Sequence, residues 1–506
     1  MVAGQAVARL RALTWGILFT LAGCAVGPNF RAPPSPAVEA YRKDALPPAT
    51  AGANVPTGDA QHFLAGADVP GRWWTTFASD ELNRRIEQAL AHSPSVASAQ
   101  AALRQAQENT NAARGGLFPS IDAKAGVTRG NANGFGFGTG TTTTAASGIP
   151  STFTLYNAGV NVGYTLDLFG AVRRGVEAQS AAADQQRFQL EGTYLSLAAN
   201  VATASFREAS LREQIHATEE IVADYRVQLD LVEKQNAIGA KSMADVLVIQ
   251  AQVATAEASL PALRQALDQT QTQLAVYLGE FPSTVQLAAI NLGALTLPHD
   301  IPVSLPSALT RQRPDVRAAE AQLHRATAEV GVASANLFPQ ITLSGSIGSL
   351  ALHAGDLFGS GTKSWTVGGG LLAPLFHGGT LRAQKRAAEA GLDKAAADYQ
   401  STVLTAFQNV ADSLRALELD ADSLQAQAAA EQSTASSLEL VAFQYRNGSA
   451  SYLQVLDATR QHQQARIGLI QARAARLSDT AALYIALGGG WKEDDAGKLA
   501  VATESH

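Results

Sequence analysis

The chain has very little cysteine and very little charge. One cysteine in 506 residues excludes an intramolecular disulfide and makes a cysteine-ligated metal site untenable. Charged residues reach only 16%, against about 25% in ordinary soluble domains. Basic residues do not outnumber acidic ones (38 against 44, net charge -6), so the electrostatic footprint of a nucleic-acid binder is missing. Beyond the N-terminus no run of 18 uncharged apolar residues occurs, which argues against a later membrane-spanning helix. The nine histidines are scattered, without His-Glu-x-x-His or a comparable ligand spacing. Gly134 to Gly138 superficially suggests a phosphate loop, but they lie in a Gly/Thr-rich stretch between strand-like segments. No enzymatic function, cofactor or metal is expected. What remains is a long chain with 46% hydrophobic residues.

At the N-terminus, Arg9 and Arg11 precede an apolar stretch from Ala12 to Ala22, too short to span a bilayer. With small residues before a cut, this describes a secretory signal peptide over residues 1–23. Leu21-Ala22-Gly23 followed by the single Cys24 is similar to the bacterial lipoprotein signal, in which that cysteine is acylated. The aspartate associated with inner-membrane retention is absent after it, which favours the outer membrane. Prolines 28, 33, 34, 36, 47, 48, 56 and 70 then exclude helix and central strand, and residues 24–77 are read as an extended strap.

Self-comparison reveals a duplication. Pro94-Ser95-Val96, Leu103 and Leu117-Phe118-Pro119 return 220 residues later as Pro314-Asp315-Val316, Leu323 and Leu337-Phe338-Pro339. Gly239, Ser242, Val246-Leu247 and Leu278-Gly279 return 209 residues later as Gly448, Ser451, Val455-Leu456 and Leu487-Gly488. The second copy has lost the difference of 11 residues, and the Gly130 to Gly148 loop is the place expected for it. The first copy spans 78–279 and the second 311–488, with a connector over 280–310 and a tail over 489–506. Each reads as helix, two strands, long helix, helix.

Strands are expected at about 120–129, 153–168, 340–349 and 364–374. Ile341, Leu343, Gly345 and Ile347 alternate with Thr342, Ser344, Ser346 and Gly348, the pattern of a transmembrane β-barrel. An ordinary half-buried soluble sheet would alternate equally well. The helices, expected at about 171–237, 242–279, 381–446 and 451–488, decide between them. From Leu190 to Val232 the a/d series is apolar except at Glu208 and Thr218; from Val403 to Tyr445 only Glu431 interrupts it. Strict heptads of this length imply left-handed coiled-coil packing, and a 171–237 helix would run about 100 Å at ~1.5 Å per residue. Four strands cannot close in lipid, so a membrane sheet demands several chains: two give eight strands, three give twelve.

Cys24-Ala25-Val26-Gly27-Pro28, Trp73-Trp74 before Asp80-Glu81-Leu82, Arg313-Pro314-Asp315-Val316 and Tyr445-Arg446-Asn447-Gly448 resemble, in this order, motifs of the TolC-type outer-membrane efflux factors, lipoprotein (NodT-like) branch. The resemblance implies an α+β membrane protein: a homotrimer with a twelve-stranded outer-membrane β-barrel continued by a long periplasmic α-helical barrel. It implies a lipid-anchored channel of a tripartite efflux system that passively conducts small molecules from an inner-membrane pump of the RND type and a periplasmic adaptor. The tip turns at Gly239, Ser242, Gly448 and Ser451 would meet the adaptor, although cap chemistry alone accounts for all four. Asp245 and Asp457 match carboxylates lining the closed tip in related channels, with Leu453 packing there. Ala450 and Gln454 depart from the charge-locked pattern of some members. Two other readings are a type I protein secretion channel and a lipid-anchored periplasmic coiled coil that never enters the membrane.

Overall fold

A computed structural model describes residues 25–131 and 152–489. Cys24, the Gly134 to Gly138 run, most of the Gly130 to Gly148 loop and the tail beyond Gly489 lie outside the described residues. The described chain falls into two compact units: residues 25–32, 104–131, 152–184 and 321–397 form one, and residues 33–103, 185–320 and 398–489 the other.

The first repeat contains α1 (Asp80–His92), α2 (Pro94–Gly115), β2 (Ser120–Asn131), β3 (Thr152–Leu166), α3 (Ala171–Ala237) and α4 (Met243–Leu278). The second contains α5 (Pro306–Gln312), α6 (Pro314–Ala335), β5 (Gln340–Ala351), β6 (Lys363–Leu372), α7 (Thr380–Arg446) and α8 (Tyr452–Ala486). Two short strands, β1 (His62–Ala65) in the strap and β4 (Asp300–Val303) in the connector, pair in parallel. The opening helix of each repeat is broken in two. Proline disfavours α conformation in the preceding residue, and Ser93 and Arg313 adopt ψ 128° and 123° before Pro94 and Pro314.

In the first unit the four long strands make one antiparallel sheet in the order β2-β3-β5-β6. The register places Ile121, Val162, Gly345 and Val367 in one row and Asp122, Asn161, Ser346 and Thr366 in the next. Since side chains alternate across a sheet, one face is apolar and the other polar. The apolar face is uncovered, with Ile121 71% and Val367 79% exposed, and both outer strands, β2 and β6, are open at their edges within the chain. Phe169 stacks on Phe338 where the strands meet the helices (4.7 Å between centroids).

In the second unit Trp73 and Phe77, on a 3-10 turn ahead of α1, are fully buried. Trp73 contacts Tyr484 of α8 and Phe77 contacts Phe206 of α3, at 5.7 and 4.9 Å. Arg313 explains the Arg-Pro-Asp motif. It holds Asp315 with two hydrogen bonds (3.0 and 2.7 Å), and its Nη1 donates to the carbonyl of Ala486, 2.7 Å away. One of the orphan carbonyls at the end of α8 is thereby satisfied. By length and composition alone α4 could cross a membrane, although charged residues interrupt it. Its most apolar window has a mean hydropathy of 1.3 and is only 17% buried. The same helix carries Asp245, Glu257, Arg264 and Asp268; its exposed apolar side, with Leu247 and Val248, is a surface awaiting a neighbour.

Candidate functional site: the helix tips

Both long helices end in the same chemistry. Gly239 and Gly448 each have φ +75°, the left-handed conformation that glycine adopts without steric cost. Behind them the amides of Ala240 and Ser449 donate to the carbonyls of Gln235 and Gln444, at 2.9 Å in each case. Ser242 and Ser451 then start α4 and α8 as N-caps in reciprocal capping boxes. The partner of Ser242 is Asp245, whose Oδ2 accepts from the Ser242 amide (3.0 Å) and hydroxyl (2.8 Å). Those hydrogen bonds, with the charge of Lys241, hold the Asp245 carboxyl below the usual carboxylate range. The partner of Ser451 is Gln454, at 2.7 Å from its amide. Gln454 is the repeat equivalent of Asp245 (245 + 209 = 454). Asp457 stands three positions further along α8, where Arg460 and Gln461 each donate to it at 2.7 Å. The two acids are therefore not equivalent in the duplication. Leu453, in the first turn of α8, is 67% exposed.

Sequence reasoning missed what joins the two tips. Lys241 Nζ lies 5.7 Å from the Tyr445 ring and 5.6 Å from the Tyr452 ring, and the two rings are 5.3 Å apart. Tyr452 also donates to Gln228 Oε1 at 2.9 Å. A cation between two aromatic faces contributes about 0.5–2 kcal/mol, and here it ties the first tip to the second. The only available signal was asymmetry, since the repeat equivalent of Lys241 is Ala450.

A second polar cluster lies at the far end of the same unit. Arg476, fully buried, donates Nη2 to Thr50 Oγ1 (3.0 Å) and to the Asp59 carbonyl (2.7 Å), fixing the strap to α8. Burial pushes its guanidinium down to about 10. Across from it, burial and the adjacent Asp479 carboxyl push Asp420 of α7 up to about 7. The folded protein thus keeps a proton that the unfolded chain releases near pH 4, so this site erodes stability as pH rises from about 4 to 7 and is constant above. Asp420→Asn is expected to stabilise the protein at pH 8 by about 1–2 kcal/mol per chain after solvent screening, seen as a raised thermal midpoint, and to leave the midpoint unchanged at pH 4. Equal midpoints at pH 8 would contradict this.

The described residues thus form a duplicated chain with a four-stranded, two-faced sheet and paired long helices closed by matched turns. The family model for outer membrane efflux protein matches residues 85–280 and 305–489, and the chain belongs to that family. The two matched segments repeat the offsets of the duplication (305 - 85 = 220; 489 - 280 = 209). The chain is 32% identical over 433 residues to the pyoverdine export outer membrane protein OpmQ of Pseudomonas putida, covering 84% of this chain and 89% of that one. It is 27% identical to the probable outer membrane lipoprotein SilC of Salmonella typhimurium, over 96% of this chain and all of that protein. The solved outer-membrane channel OprN superimposes with a TM-score of 0.79 at 27% identity, covering 92% of this chain and 100% of its own. The protein is an efflux channel of the outer membrane, and its family is one of channels, not enzymes.

Proposed function

We propose that three copies assemble so that β6 of each pairs with β2 of the next, closing a twelve-stranded barrel through which small molecules leave the cell passively. The observation that carries this reading is the sheet: apolar on one face, polar on the other and open at both edges. An open edge is not sustained in hydrocarbon, and four strands are too few to close. The exposed apolar side of α4 supports the same assembly, since neighbouring helices would cover it. Cys24 carries the acyl anchor in this reading, in keeping with the lipoprotein named among the relatives. The turns at Gly239, Ser242, Gly448 and Ser451 receive a periplasmic adaptor, which links the channel to an RND-type inner-membrane pump. Asp245, Asp457 and Leu453 narrow the tip. Three copies of each carboxylate near one axis would favour cations.

The test is the native mass of protein extracted from outer membranes in mild detergent, for wild type and Cys24→Ser. Three acylated chains are expected for the wild type and three unacylated chains for the variant; a monomer would defeat the reading. In planar bilayers, Asp245→Ala with Asp457→Ala is expected to lower cation preference and raise conductance. Currents indistinguishable from wild type would remove both carboxylates from the gate.

A further inference from the structure

We propose that the apolar face of the sheet holds a groove for a phosphorylated glycolipid of the outer leaflet, with its acyl chains in the groove and its phosphate on Lys363. The inference rests on the membrane reading of the sheet. A cavity of about 800 Å³ opens on this face. Its floor is made by Ala123, Ala125 and Ala158, small residues on a face that elsewhere carries valine, isoleucine and leucine. The floor is therefore low because alanines stand where the rest of this face carries larger apolar residues.

The walls are aromatic. Trp365 stands in the row of Ala123, Val160 and Ile347 and is 76% exposed; Phe358, on the β5–β6 turn, is 82% exposed. That turn is firmly built. Ser349 Oγ donates to Thr362 Oγ1 at 2.6 Å, the Thr362 hydroxyl lies 3.0 Å from the Gly359 carbonyl, and the Gly359 amide donates to Asp356 at 2.9 Å. Phe358 is thus presented to the groove by a fixed scaffold. Lys363, in the row of Ala125, Ala158 and Ser349, ends the groove and forms no ion pair among the described residues. Arg129 lies on the same face further out along β2. Every helix joins the opposite end of the sheet, so Lys363 and Arg129 point to the outer leaflet, where the lipid headgroups are phosphorylated sugars. Aliphatic chains suit an alanine floor between aromatic walls, and a phosphate suits an exposed ammonium.

The experiment is native mass spectrometry of the full-length assembly, stripped of lipid and titrated with diphosphorylated lipid A, dephosphorylated lipid A or phosphatidylglycerol. Wild type is expected to retain the diphosphorylated form best. Lys363→Gln should weaken that form alone, by about fivefold, and Ala158→Leu, which fills the groove, should weaken all glycolipid binding. Should Ala158→Leu fail to assemble, the milder Ala125→Val replaces it. Retention that is the same in wild type and both variants overturns the groove. Labelling of Ile121 and Val367 by an apolar photoactivated carbene separates the two failures. A labelled face with unchanged retention removes the groove alone, whereas an unlabelled face removes the membrane reading beneath it.

Discussion

Glu208→Ala is expected to destabilise the protein by about 3–5 kcal/mol per chain, because it takes from a buried cation the closer and more deeply buried of its two carboxylate partners. Glu208 is fully buried on α3, where its Oε2 accepts from Arg85 Nη1 at 2.7 Å and its Oε1 from Arg212 at 2.8 Å and Gln271 at 3.2 Å. The Arg85 side chain is only 2% exposed. It also donates to Ser205 Oγ at 3.1 Å and to the Ala288 carbonyl at 2.6 Å, so its position is fixed by three segments of chain. With Glu208 gone, Glu81 at 3.0 Å is its remaining carboxylate partner. Burial pushes the Glu208 carboxyl up, but Arg85 and the bonds from Arg212 and Gln271 more than offset this and hold it below the usual range. A depressed carboxylate adds stability above its unfolded pKa and loses it as pH falls through the folded value. The difference between wild type and Glu208→Ala should therefore be full at pH 7 and shrink below about pH 4. Glu208→Gln keeps the shape and should cost less. Arg85→Met combined with Glu208→Leu, which removes both charges, should return most of the loss. Thermal unfolding in detergent measures all of these, and a Glu208→Ala midpoint within a degree of wild type would show that the pair is not integral to the fold.

The same residue shows where sequence reading reaches its limit. The heptads of α3 and α7 were legible because packing repeats every seven residues, and the duplication was legible because both copies keep their turn residues at one offset. Glu208 stood out only as an interruption of the apolar series. Its partner Arg85 lies 123 residues away, and nothing local marks that arginine as buried. Strands β1 and β4 were missed for a related reason. His-Phe-Leu-Ala is too short to show a period, and its pairing register, His62 to Asp300, spans 238 residues. The breaks at Pro94 and Pro314 divided what had been read as single helices. At the tips, glycine and serine announce their backbone roles locally, so the turns could be placed from sequence. The Lys241 clamp could not, because it depends on the distance between two turns in different repeats. Whether Asp245 and Asp457 converge is likewise a property of the assembled channel and not of one chain's spacing.

Gly279→Ala and Gly488→Ala should each cost about 2–4 kcal/mol, and the comparison with the tip glycines isolates the cause. All four residues are left-handed: φ is +76° at Gly279, +93° at Gly488 and +75° at both Gly239 and Gly448. Alanine in that conformation costs about 1–2 kcal/mol by itself. At Gly239 and Gly448 nothing lies within 4 Å of an added Cβ, so the conformational cost is the whole effect. At Gly279 the new Cβ would sit 2.5 Å from the His92 carbonyl, and at Gly488 it would sit 3.0 Å from that of Gln312. His92 and Gln312 are themselves repeat equivalents (92 + 220 = 312) at the two proline-broken helices. Each repeat therefore closes by pressing its last turn against backbone at its own helix break, and only a residue without Cβ permits that approach. The clash is with main chain and cannot be relieved by turning a side chain. Thermal midpoints of the four single alanine variants decide the matter. Gly279→Ala and Gly488→Ala should fall well below Gly239→Ala and Gly448→Ala, and four equal losses would mean that the backbone contact at the break contributes nothing.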